Sequence, residues 1–314
     1  MRAGYSFNPD TDIPALSEKV VLVTGGNTGL GHETILQLSK HSPAHVFLAA
    51  RSQDKGHAAV NDIRQATPNV PPISFLQLDL SSFASIQSAV KKFRESSDRL
   101  DILINNAGIM ATPEGLTEDG YEIQFGTNHL GVALFTKLLL HTMKQTAATK
   151  SSDVRVVFVS SSMEENAPKD SYQLDKVKST MPHISTWARY SMSKLANLQY
   201  CEALARNHPD IKFISVHPGI VQTNLSNTFI GSYNPVAAAV IKLASKLLTV
   251  NVETGALNQL WAATSHDAVS GEFYYPVGVK GKGSNLSQNR SIRDQLWDWT
   301  EKEIEPYVLG EAIQ

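Results

Sequence analysis

A chain of 314 residues with a formal charge of −2 and a pI near 6.6 carries no electrostatic footprint for nucleic acid or an anionic membrane surface. Its apolar share of 42% supports a packed core and excludes disorder as a description of the whole. One cysteine, Cys201, excludes an internal disulfide, and with no second cysteine and no H-E-x-x-H pair no metal site is expected.

Residues 1–18 read as an extension without the apolar run of a secretory leader. The longest apolar stretch, 235–250, is interrupted by Lys242 and Lys246, so no membrane anchor is expected and a cytoplasmic protein is. From residue 19 two textures alternate. KVVLVTGG is a β-branched run ending in glycine and predicts a strand, and GHETILQLSKHS after it predicts a helix. HVFLAAR, ISFLQLDL and LDILINNAG predict three more strands, with helices over KGHAAVNDIRQAT and FASIQSAVKKFRESS between them. A long helix is expected from about residue 121 to 145, then a strand over VRVVFVSSS, a helix over RYSMSKLANLQYCEALAR and a strand over IKFISVHPG. GEFYYPVG supplies a seventh strand, and LWDWTEKEIEPYVLG a helical tail.

Apolar strands separated by helices predict an α/β fold. The expected form is a single doubly wound, Rossmann-type domain over 19–314, its mostly parallel seven-stranded sheet covered by helices on both faces. A substrate cap is expected at about 222–250.

The turn after the first strand, TGGNTGLG, places Gly25, Gly29 and Gly31 around Asn27, Thr28 and Leu30. Glycines here let backbone approach a pyrophosphate, and the following helix offers free N–H groups and the positive end of its dipole. Twenty positions past Gly31 stands Arg51, preceded by Ala50, where a dinucleotide site reads the ribose 2′ position. An arginine there with no adjacent carboxylate favours NADP over NAD. In RYSMSK, Tyr190 and Lys194 are four apart and so share a helix face. The lysine cation has the sign needed to favour a phenolate.

Taken in order, these motifs resemble the short-chain dehydrogenases/reductases, most closely the branch of the retinol dehydrogenases and the WW-domain oxidoreductase. The resemblance rests on TGGNTGLG, AARSQDKG, QLDL, NNAG, GTNHLG, FVSSS, YSMSKLAN and SVHPGIVQT. It implies catalytic roles for Asn128, Ser161, Tyr190 and Lys194. Tyr190 would be the acid/base, Lys194 would lower its pKa and hold the nicotinamide ribose, Ser161 would orient the substrate oxygen, and Asn128 would relay protons through water. It implies further cofactor contacts at Asp79, Leu80, Asn106, Ala107, Gly108, Pro218, Gly219, Val221 and Thr223. The implied activity is NADP(H)-dependent interconversion of a carbonyl and an alcohol on an apolar or aromatic small molecule, as in secondary metabolism. A redox-neutral cyclase or isomerase and a non-catalytic NADP sensor remain as alternatives. The family often dimerises through the long helices after its fourth and fifth strands, which implies a homodimer or homotetramer. Glu164 and Glu165, just past the serine, are expected at the surface, and His129 is expected to be structural.

Overall fold

The computed structural model describes residues 6–67, 69–149, 153–170, 172–221 and 249–309. Most of the expected cap, and Thr223 with it, lies outside the described residues.

Seven parallel strands form one sheet in the order β3-β2-β1-β4-β5-β6-β7. They are β1 (Val20–Thr24), β2 (His45–Ala50), β3 (Ile73–Gln77), β4 (Ile102–Asn105), β5 (Arg155–Val159), β6 (Lys212–Val216) and β7 (Phe273–Tyr274). The order runs outward from β1 in one direction and from β4 in the other, so the carboxyl ends of β1 and β4 flank the point where the winding reverses. Among the described residues seven major helices flank the sheet: α1 (Gly29–Ser39), α2 (Gln53–Ala66), α3 (Phe83–Ser96), α4 (Gly131–Ala147), α5 (Thr186–Asn207), α6 (Val252–Thr264) and α7 (Arg290–Leu309).

The pleat sends neighbouring strand residues to opposite faces. Leu22, Phe47, Leu103, Phe158 and Phe213 pack with α3, α4, α5 and α7 on one side. Val21, Val23, Leu48, Ile104 and Ile214 pack with α1, α2 and α6 on the other. Both layers are fully enclosed, which is why these strands read as continuous apolar runs. Phe7, Ile13 and Leu16 are buried in the second layer.

Two departures from the sequence reading concern helices. The helix expected over 121–145 opens with a short turn, Ile123–Phe125, passes through a π turn, Gly126–Leu130, and only then becomes α4. Helix α6 had no place in the reading. It is a central helix whose Leu260 and Trp261 are buried, and its small and polar residues blur any amphipathic stripe.

Helix α7 lies across α4 and α5. Glu301 accepts from Lys137 at 2.5 Å and from the Tyr200 hydroxyl at 2.9 Å, Glu303 accepts from the Tyr121 hydroxyl at 2.6 Å, and Arg293 pairs with Glu202. Thr300 meets the imidazole of His129 at 2.9 Å, and burial pushes that imidazole down to about 3, so it is neutral and structural. Cys201 sits in the same layer, its thiol pushed up by burial to about 12 and so unreactive.

Candidate active site

The glycine-rich turn is held open by contacts that admit no side chain. Gly25 and Gly29 have φ of +66° and +54°. A Cβ on Gly31 would stand 2.3 Å from the Gly25 carbonyl oxygen and 2.6 Å from Asn106 Nδ2. The same asparagine donates to the Thr24 carbonyl at 2.8 Å, and the Thr24 hydroxyl accepts from the Ala107 N–H at 3.0 Å. β1 and β4 are thus stitched together where their ends part. Helix α1 starts at Gly29 with no acidic side chain in its first turn, so its positive end stays available to an anion. Leu30 and Val221 both reach the start of α6, where a Cβ on Gly255 would meet Val221 at 2.5 Å and Leu30 at 2.8 Å. This close-packed, uncharged turn fits a dinucleotide's pyrophosphate.

At the ends of β2 and β3, Arg51 lies 4.0 Å from Asp79, its side chain 78% exposed. Asp79 is fixed by the Ser81 N–H and hydroxyl, at 2.9 and 2.6 Å. Leu80 turns its carbonyl under the start of α4, where a Cβ on Gly131 would lie 2.1 Å from it. Past β6, Pro218 leads into Gly219 (φ +88°), and Val221 bridges to Val250.

Four segments bring the remaining predicted residues together beyond β4 and β5. A Cβ on Gly108 would stand 3.2 Å from Asn128 Oδ1 and 3.4 Å from Lys194 Nζ. Lys194 donates to the Val159 carbonyl at 2.8 Å and lies 5.8 Å from the Tyr190 ring centroid. Ser161 lies close enough to Tyr190 to favour its phenolate. Asn128 sits in the π turn, a distortion that often marks a functional position. It accepts from the Ile109 N–H at 2.8 Å and donates to the Ile109 carbonyl at 2.8 Å and the Ser193 hydroxyl at 3.0 Å.

Three successive serines make three different contacts where the chain leaves β5 and enters a 3-10 turn, Ser162–Asn166. Ser160 donates to the Lys194 carbonyl at 2.8 Å and fastens α5 to the sheet. Ser161 faces Tyr190. Ser162 meets His217 at 3.2 Å, and burial followed by the Lys194 charge pushes that imidazole down to about 4.

Burial overrides two expectations here. Burial outweighs any lowering of the phenol: it pushes Tyr190 up to about 12, and Ser161 only partly opposes it. The same burial lowers the ammonium to about 8, because a low-dielectric site disfavours either charge. Glu164 is not at the surface but wholly buried, accepting from the Ser284 N–H at 2.6 Å and its hydroxyl at 2.5 Å. Its partner is 120 residues away in the chain, so no local signal could have revealed it.

A short chain dehydrogenase family model matches residues 19–172. The short-chain dehydrogenase/reductase drtF of Aspergillus calidoustus is 35% identical over 319 residues, covering 93% of this chain and 95% of that one. The chain belongs to the short-chain dehydrogenase/reductase family. Among solved structures, an uncharacterised protein of Mycobacterium paratuberculosis superposes with a TM-score of 0.72 at 28% identity, covering 96% of this chain and 98% of the other. A 3-ketoacyl-(acyl-carrier-protein) reductase of Brucella melitensis, solved with NADH, shares the fold at a TM-score of 0.60 and 20% identity, covering 82% of this chain and 96% of that one. As a short-chain dehydrogenase/reductase the chain is an oxidoreductase. Among its described residues no helix is long and apolar enough to cross a membrane.

Proposed function

We propose that this short-chain dehydrogenase/reductase is NADP(H)-dependent and interconverts a carbonyl and an alcohol on an apolar or aromatic small molecule. One observation carries the reading: Asn128 and Lys194 meet against the Gly108 backbone, Lys194 lies 5.8 Å from the Tyr190 ring, and Tyr190 is next to Ser161. NADPH, when bound, supplies the hydride. Gly25, Gly29 and Gly31 would hold its pyrophosphate, Asp79 and Leu80 its adenine, and Asn106, Ala107, Lys194, Pro218, Gly219 and Val221 its nicotinamide half.

The protein's own part is to place a carbonyl oxygen and protonate it. Ser161 donates a hydrogen bond to that oxygen as it gains charge. Tyr190 keeps its proton throughout the neutral range, since its pKa stands near 12, and an alkoxide is basic enough to take it. Lys194, charged below about 8, then offsets the phenolate that is left. A groove of about 560 Å³ between residues 111–114 and 182–186, walled by Ala111, Pro113, Pro182 and Ile184, opens one turn before Tyr190 and suits the distal part of an apolar substrate. Purified protein offered aromatic ketones, aldehydes and quinones is expected to oxidise NADPH with an alcohol as product. Product formed with no net NADPH change would favour the cyclase or isomerase alternative.

Arg51 supports the choice of NADP, since its guanidinium is largely exposed, only 4.0 Å from Asp79 at its nearest, and can pair with a 2′-phosphate. Arg51→Ala is expected to raise the KM for NADPH by about 10- to 100-fold, the value of one charge-assisted bond, and that for NADH by less than about two-fold. An equal effect on both cofactors would remove the 2′-phosphate role.

Lys137–Glu301 and Tyr200–Glu301 join α7 to α4 and α5 on the side that the family resemblance offers to a dimer, which supports reading the chain as a monomer. Sedimentation of the full chain is expected to return the monomer mass of 34.3 kDa. Twice that mass would show assembly through another face.

A further inference from the structure

We propose that Gln124 and Thr186 are positioning residues that set the axial register of Tyr190 against Asn128. The inference rests on the oxidoreductase reading above for its kinetic part only.

Two runs carry three of the four proposed catalytic groups, 122–128 with Asn128 and 186–194 with Tyr190 and Lys194. Three buried polar rungs join them. Glu122 pairs with Arg189 at 3.0 Å, Gln124 donates to the Thr186 carbonyl at 2.9 Å and hydroxyl at 3.1 Å, and Asn128 donates to the Ser193 hydroxyl at 3.0 Å. Tyr190 lies between the first two rungs and the third.

The middle rung also holds a third segment. The Ala111 N–H donates to Gln124 Oε1 at 2.9 Å, and the Thr186 hydroxyl donates to the Thr112 carbonyl at 2.8 Å. Every hydrogen-bonding direction is consistent: the amide NH2 gives both its bonds to Thr186, the amide oxygen takes one from Ala111, and the threonine hydroxyl takes one and gives one. Gln124 is fully buried. Its position is one helical turn before Asn128, and that of Thr186 one turn before Tyr190.

Apolar packing alone would let the two runs slide by a fraction of a turn, whereas directional bonds do not. The rung also orders 111–112, the wall of the groove that faces the substrate. Together with the other two rungs, this pair fixes register and the placement of the phenol, and it ties both runs to the groove wall, while touching none of the reacting atoms.

Thr186→Val removes the hydroxyl at nearly constant shape, Thr186→Ser restores it, and Gln124→Leu removes the whole rung. With tyrosines labelled at the ring carbon bearing the hydroxyl, the Tyr190 resonance is identified by its loss in Tyr190→Phe. Thr186→Val and Gln124→Leu are expected to move that resonance, Thr186→Ser to return it, and those of Tyr172 and Tyr200 to stay in place. Turnover by Thr186→Val is expected to fall about 10- to 100-fold in kcat, with the KM for NADPH within about two-fold, the signature of a misplaced group rather than a lost cofactor contact. An unmoved Tyr190 resonance in both variants, or equal movement of all three tyrosines, would overturn the proposal. If the wild type turns over no carbonyl while the Tyr190 resonance responds as stated, the oxidoreductase reading fails and the positioning role stands.

Discussion

Tyr190→Phe is expected to lower NADPH-dependent carbonyl reduction by about 10²- to 10⁴-fold, the range supplied by a positioned general acid. The substitution removes one oxygen from a ring that is only 8% exposed and leaves the ring's packing unchanged. NADPH affinity and melting temperature should therefore stay close to wild type, because the cofactor turn at Gly25–Gly31 and the sheet do not depend on the hydroxyl. Stopped-flow reduction under single-turnover conditions isolates the step. Wild-type rates in the variant would eliminate Tyr190 as the acid and shift attention to Ser161, the other hydroxyl at that point of the site.

Lys194→Met should cost about 10²- to 10³-fold, comparable to the loss of one preorganised charge-stabilising donor. Its ammonium is expected to act while charged. Burial has brought its pKa down to about 8, so the charge is present below that pH and lost as pH rises through it. Tyr190, pushed the other way to about 12, keeps its proton across the same window. The reduction rate of the wild type is thus expected to fall above about pH 8 through one ionisation. Lys194→Arg keeps a charge at every accessible pH, so its lower rate should show no limb there. A limb near pH 8 that persists in Lys194→Met would assign it to another group.

The first half of the site was written locally. Glycine spacing at 25, 29 and 31 forecasts a turn that tolerates no Cβ, and one is excluded at Gly31 by contact with the Gly25 carbonyl. The four-residue spacing of Tyr190 and Lys194 is a property of any helix, and the structure keeps it within α5. Strand order along the chain was legible because fully buried parallel strands are continuous apolar runs. Helix α6 was not, since a helix packed on several sides shows no clean stripe.

What the sequence determines by itself is therefore whatever depends on neighbours within one or two turns: the strands, the nucleotide turn and the shared face of Tyr190 and Lys194. The π turn at Asn128, the burial of Glu164 against Ser284, the rung from Gln124 to Thr186 and the closing of α4 and α5 by α7 each depend on partners tens to hundreds of residues away. So do the charges of the site. Spacing says that Lys194 can reach Tyr190, but only the packed structure decides that burial raises the phenol and lowers the ammonium, because desolvation depends on everything that surrounds a group and not on its neighbour alone.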